Sequence, residues 1–213
     1  MATKNTISQN LLWALLAVVL LGVGTYSLFS WLKEQEVREP TKVLADYGQV
    51  PPFTLTNQDG RIVKRTEFDG HIWLADLIFT RCSGTCPMIT QSMLAIERSL
   101  ARTPNVKLVS FTADPTHDSP EVLLKYGTSY GADFGQWSFL TGPVPVIYDI
   151  AKNGFHLPID SVGGDQNVPI VHSERIVLVD ETGHIRGYYD GTTREVQQQV
   201  LTDIGDLMRS KKK

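Results

Sequence analysis

Positive charge in excess is what this chain most clearly lacks. Its 20 Lys and Arg stand against 23 Asp and Glu, a formal net charge of -3. A nucleic-acid-binding surface usually shows a basic excess, so that partner class is set aside. Arg is missing from residues 1–10, whereas a mitochondrial presequence would be Arg-rich there, which points to a bacterial chain. Charge of either sign is missing from Leu11 to Leu32, LLWALLAVVLLGVGTYSLFSWL. About 20 apolar residues cross the hydrocarbon core of a bilayer, and this run suffices. Trp13, Tyr26 and Trp31 lie toward its ends, where amphipathic rings favour the headgroup region. The run exceeds the apolar stretch of a signal peptide and no A-x-A site follows, so an uncleaved, single-pass anchor over 11–32 is expected after a short tail, 1–10.

Lys4 before the span and Lys33 and Arg38 after it, mixed with Glu34, Glu36 and Glu39, leave the positive-inside count nearly balanced. A signal-anchor with a short N-terminal tail usually sends the bulk of its chain across. The expected location is therefore the inner (cytoplasmic) membrane, with the domain on the periplasmic side. The basic run Lys211-Lys212-Lys213 is given no role.

Residues 33–48 are polar and charged, with Pro40, and read as a tether. Residues 49–213 form one domain without repeats or low-complexity stretches. Phe53 to Thr56 and Arg61 to Val63 flank Asp59-Gly60, a hairpin signal. Ile72 to Phe79 is a nearly continuous apolar run, as for a strand covered on both faces, interrupted by Asp76. That carboxylate is either a partnered core group or part of a polar site at the strand's end. A helix is predicted from Pro87 to Leu100, with Ile89, Met93, Ile96 and Leu100 on one face. A strand follows from Val106 to Phe111. The next helix starts at Ser119-Pro120-Glu121 (cap, first-turn Pro, first-turn acid) and runs to about Tyr130. Trp137 to Leu140 is a short strand, and Pro143 to Asn153 a helix closed by Gly154. Arg175 to Asp180 and Ile185 to Tyr189 form a hairpin, and a last helix begins at Thr193. This is the thioredoxin order: α/β with a mixed central sheet, preceded by one transmembrane helix.

The chain's two cysteines sit together in Phe79-Thr80-Arg81-Cys82-Ser83-Gly84-Thr85-Cys86-Pro87, between the central strand and the first long helix. A helix N-terminus next to Cys86 and the neighbouring Arg81 both favour thiolate over thiol. Gly84 lets the loop turn so that both sulfurs point the same way. A structural disulfide is the plain alternative, but it would close so short a loop that it would add little stability. Two close thiolates are soft ligands, suited to Cu(I), Zn or Fe–S. A third ligand would be an imidazole. His71, His117, His156 and His184 read as surface or packing residues, while His172 ends a loop immediately before the strand Arg175 to Asp180.

Phe79-Thr80-x-Cys82-x3-Cys86-Pro87, then Asp114-Pro115-x2-Asp118-Ser119-Pro120, then His172-Ser173, then Gly187-Tyr188-Tyr189-Asp190 together resemble the Sco/SenC family over about Pro51 to Leu207. The family consists of membrane-anchored copper proteins of the thioredoxin superfamily that help assemble the binuclear copper centre of cytochrome c oxidase. The resemblance implies Cys82, Cys86 and His172 as copper ligands, with Asp114 an acidic neighbour rather than a ligand. It implies copper, as Cu(I) and also as Cu(II), and cytochrome c oxidase subunit II as partner. Ser83 departs from the Pro that many members carry after the first Cys, which bears on affinity rather than on the ligands. On this reading the chain is a copper metallochaperone, and oxidation to an 82–86 disulfide would remove its thiolates. Two other readings remain: a tethered thiol-disulfide oxidoreductase that uses Cys82 and Cys86 as a redox pair, and a peroxiredoxin-like enzyme.

Overall fold

The computed structural model describes residues 6–36, 42–157 and 173–210, with side chains for 11–31, 42–157 and 173–210. The chain divides into two compact units, Met1–Thr41 and Lys42–Lys213. The first contains helix α1 (Thr6–Glu36), which extends past the predicted span at both ends. Within it Leu11–Trp31 is long and apolar enough to cross a membrane, and its apolar side chains are exposed.

The second unit is a seven-stranded mixed sheet with helices on both faces. Its strands are β1 (Thr54–Asn57), β2 (Ile62–Lys64), β3 (Ile72–Ile78), β4 (Val106–Thr112), β5 (Trp137–Thr141), β6 (Arg175–Val179) and β7 (Ile185–Asp190), in the spatial order β2-β1-β5-β4-β3-β6-β7. β3, β4 and β5 are parallel, and the remaining pairings are antiparallel. The helices are α2 (Cys86–Ser99), α3 (Pro120–Tyr130), α4 (Val144–Asp149) and α5 (Val196–Ser210). This is the expected thioredoxin-like architecture.

β3 explains why its sequence is apolar on both faces. Trp73, Ala75 and Leu77 enter one apolar layer with Phe111, Ile147, Ile150 and Phe155, on the side of α4. Ile72, Leu74 and Ile78 enter the other, with Ile89, Met93 and Ile96 of α2 and Val196, Val200 and Ile204 of α5. Both layers are drawn from residues of the second unit alone, so that unit carries its whole core.

Local chemistry sets the helix ends. Ser119 caps α3 by accepting the Val122 N–H, and Gly131 ends it in the left-handed conformation (φ 79°). Two boundaries differ from the sequence expectation. The predicted helix from Pro143 is α-helical only to Asp149 and continues as one wide π-type turn, Ile150–Gly154. Gly154 there lies so close to Pro51 that a Cβ would come within 2.8 Å of its ring. α5 begins at Val196 rather than Thr193, because the Thr192 hydroxyl and N–H and the Thr193 hydroxyl bond back to Asp190 and hold a turn.

The outer edge of β7 is not bare. The Tyr47 N–H donates to the Ile185 carbonyl (3.0 Å), the Ile185 N–H donates to the Gly48 carbonyl (2.9 Å), and Gln49 bridges to His184.

Candidate metal centre

β3 ends at Ile78 and α2 begins at Cys86, so the dithiol loop sits at the carboxyl end of the central strand. Both cysteines are free thiols, Cys82 half-buried and Cys86 buried. The loop is pinned by its neighbour, the loop after β4. Asp118 is fully buried and accepts from the Thr80 N–H (3.1 Å), the Thr80 hydroxyl (2.5 Å) and the Thr112 hydroxyl (2.6 Å). His117 Nδ1 lies 2.9 Å from the same carboxylate. One turn away, Arg81 pairs with Asp114 at 2.5 Å; the arginine is 60% exposed and the carboxylate only 5%. A buried carboxylate tied by three bonds holds the groups that donate to it. Here Asp118 fixes Thr80, and Asp114 holds Arg81, on the stretch that leads into Cys82.

The two sulfurs differ electrically. Burial works to raise the Cys82 thiol, but hydrogen bonds from the Cys86 thiol and from the N–H groups of Cys86, Gly84 and Thr85 outweigh it and hold it below the ordinary thiol range. Burial, together with the adjacent Cys82, pushes Cys86 up to about 12. The sequence expectation is corrected on two points. The amides at the start of α2 turn toward Cys82, so it is that sulfur, rather than Cys86, which they stabilise as thiolate. Arg81 does not act on the thiols, because its charge is committed to Asp114.

Asp76 is both of the things its sequence position allowed. It is 1% exposed and faces α2, opposite Ser110 in the β3–β4 register. Its Oδ1 accepts from the Ser110 hydroxyl (2.6 Å), which in turn accepts from Trp137 Nε1 (2.9 Å). Its Oδ2 has no partner. Burial, against the Ser110 bond, pushes its carboxyl up to about 7, and its charge acts on Cys86. A second polar chain runs beside it: Thr90, one turn into α2, donates to the Cys86 carbonyl (2.9 Å) and lies 2.7 Å from the Tyr126 hydroxyl.

The structure thus brings Cys82 and Cys86 together and sets Asp114 against the residue next to Cys82. His172 lies outside the described residues. Among the described residues no three His, Cys, Asp or Glu side chains form a metal-holding group. Two soft sulfur donors fit a soft cation, and a third donor has to be added to them. Sequence reading took His117 for a surface or packing residue and gave Thr80 and Asp118, though both stand in the quoted motifs, no role. The signal was there in Asp114-Pro115-x2-Asp118, but in that loop, unlike at Asp76 within an apolar run, the sequence does not tell a buried aspartate from an exposed one.

The sequence profile described as SCO1/SenC matches residues 44–209, the dithiol loop included. The chain belongs to the SCO1/SenC family. Among SCO1/SenC relatives, the SCO1 protein homolog of Bacillus subtilis (strain 168) is 31% identical over 172 residues, covering 80% of this chain and 86% of that one. A protein of Stutzerimonas stutzeri named for copper binding is 29% identical over 165 residues, 75% of this chain and 78% of its own length. A solved structure of BsSco, a Sco-family cytochrome c oxidase assembly protein in which a disulfide switch was identified, is 32% identical. It covers 80% of this chain and 99% of its own, with a TM-score of 0.70.

Proposed function

We propose that this SCO1/SenC chain is a membrane-anchored copper carrier that holds its cargo on Cys82, Cys86 and His172 and passes it to the binuclear copper site of cytochrome c oxidase subunit II. The observation that carries the reading is the pair of free thiols side by side on a pinned loop in a chain of this family. Leu11–Trp31 is the anchor on this reading, and the domain stands on the periplasmic side of a bacterial inner membrane. Copper is the substrate, taken by two thiolates and an imidazole. A site open on one side suits exchange with a partner that brings thiolates of its own. The name of the Stutzerimonas stutzeri relative and the assembly role of BsSco support the cargo and the destination.

The unequal thiols favour a second use of the same pair. A half-buried Cys82 thiolate can attack a partner's disulfide, displacing one partner sulfur as thiolate and leaving a mixed disulfide. Cys86 then gives up its proton and attacks Cys82 Sγ, which releases the second partner sulfur and closes the 82–86 disulfide. Two electrons pass to the partner.

The test is a Cu(I) titration of the reduced protein against a competing chelator. The expected result is one tightly held equivalent per chain, lost in C82S and in C86S and sharply weakened in H172A. Retention of that equivalent by C82S and C86S would sink the copper reading. Disulfide reductase activity that survives H172A would assign exchange to the thiols independently of the cargo.

A further inference from the structure

His117, a surface or packing residue by its sequence, is held at both its backbone and its ring. The backbone belongs to a tight turn after β4. The N–H groups of His117 (3.1 Å) and Asp118 (2.9 Å) donate to the Asp114 carbonyl, and the His117 carbonyl accepts from the Ser119 N–H (2.9 Å). The ring is set by Asp118. That fully buried carboxylate accepts from the Thr80 N–H, the Thr80 hydroxyl and the Thr112 hydroxyl, and His117 Nδ1 is its fourth neighbour, at 2.9 Å. A carboxylate that accepts from every side needs a donor at Nδ1, so the neutral imidazole keeps its lone pair on Nε2. Nε2 has no hydrogen-bond partner among the described residues, and the side chain is 40% exposed. An imidazole held through one nitrogen by a carboxylate, with the other nitrogen open, is the arrangement that metal-binding histidines use.

The place matters as much as the ring. The Thr80 hydroxyl lies 3.5 Å from Nδ1, and Thr80 stands in the turn that the Cys82 N–H closes onto the Phe79 carbonyl (3.1 Å). Two residues separate Thr80 from Cys82 along the chain, at most about 7 Å between Cα atoms. His71 and His184 lie at the other end of β3. His71 immediately precedes that strand, and the Gly70 N–H donates to the Glu181 carbonyl in the turn that leads to His184. The carboxylate that His184 meets, Asp46, is an exposed one.

We propose that His117 Nε2 is a transit donor for copper: it takes the ion as a partner delivers or removes it, and exchanges it with the Cys82 thiolate. The inference rests on the copper-carrier reading of the thiol pair. The steps are ligand exchanges alone. A bond from the ion to its previous holder gives way to one with Nε2, and that in turn to one with Cys82 Sγ. The ion keeps its oxidation state and the imidazole stays neutral throughout. His117 is not a resident ligand, because among the described residues it does not close with Cys82 and Cys86 into one metal-holding group. A donor touched only in passing lowers the barrier in both directions and leaves the equilibrium where it was.

The plain rival is that His117 merely supplies Asp118 with a hydrogen bond. H117N separates the two, since its amide can donate to Asp118 from near the place of Nδ1 while nothing stands at Nε2. The rival predicts wild-type copper transfer in H117N.

The full chain in detergent, reduced and loaded with one Cu(I), is mixed with bathocuproine disulfonate, and the coloured complex is followed in time. H117N should release copper about tenfold more slowly than the wild type, the scale of loss when a supporting group of a metal site is removed. Its equilibrium affinity for Cu(I) and its thermal unfolding should not change. Release at the wild-type rate overturns the proposal. So does a loss of affinity in H117N as large as that in H172A, which would make His117 a resident ligand. Ag(I), a soft cation without redox chemistry, tests the imidazole apart from the thiols. In C82S/C86S, with the histidine side chains followed by NMR, the His117 signals should shift at lower Ag(I) than those of His71 and His184; an equal or later shift overturns the proposal. A wild type that holds no Cu(I) refutes the carrier reading, and the Ag(I) titration still decides whether His117 takes a soft cation.

Discussion

Cys82 and Cys86 are four residues apart and chemically alike, yet one turn of backbone separates their behaviour. Three consecutive amides, of Gly84, Thr85 and Cys86, act on one sulfur, whereas burial dominates at the other, which has a single backbone bond at Phe79. Iodoacetamide near neutral pH should therefore modify Cys82 more than about tenfold faster than Cys86. Peptide mass spectrometry over a time course reads this directly; equal rates, or Cys86 first, would refute the asymmetry. The pairing of the two thiols was legible in the sequence, because two cysteines at a strand-to-helix turn have little room to separate. The asymmetry was not, because it depends on where amide hydrogens point once the turn has closed. Arg81 misled for a related reason. A cation beside a cysteine in sequence says nothing about Asp114, 33 residues away, which takes that charge.

At the scale of elements, reading succeeded where a pattern is periodic or a residue type has a steric meaning. β3 was visible as a buried apolar run, the β1–β2 hairpin as Asp59-Gly60, and the start of α3 as Ser119-Pro120. It failed at the end of α4, where Gly154 packs on the distant Pro51, and at the start of α5, where Asp190 holds Thr192 and Thr193 in a turn. Two helical glycines make a paired test of the same distinction. A Cβ on Gly127 would meet Phe134 at 2.7 Å and Phe139 at 2.8 Å, both rings of a packed layer. Overpacking costs about 1–3 kcal/mol, more than the helix propensity gained from Ala returns at all but its lowest end. Gly205 would meet only the flexible end of Arg209, at 3.3 Å. G127A should lower stability by about 1 kcal/mol, and G205A should raise it by up to about 1 kcal/mol. Urea unfolding of the two variants checks both signs, and stabilisation by G127A would contradict the packing described.

For the molecule as a whole, Asp76 couples stability to pH. Its carboxyl lies higher in the folded chain, about 7, than the ordinary value of 3.8 expected when unfolded. The folded state holds that proton more tightly, so the contribution is fully present below about pH 4. It declines between about 4 and 7 and is gone above 7. D76N keeps the size of the side chain and an acceptor for Ser110 but carries no charge. It should exceed the wild type in stability by about 1–3 kcal/mol at pH 8, with the advantage shrinking as pH falls toward 4. Chemical unfolding across that range measures the difference, and a gap that does not vary with pH would remove Asp76 as its source.

The short strip Tyr47 to Val50, laid along β7, has a bearing on life among many copies. A bare flank of backbone donors and acceptors is a template on which a second sheet can grow. Here those groups at Ile185 are already taken by Tyr47 and Gly48, and at the far flank β2 offers only three residues. Copies that meet edge to edge therefore find Ile185 already paired on one flank and only a three-residue strand on the other.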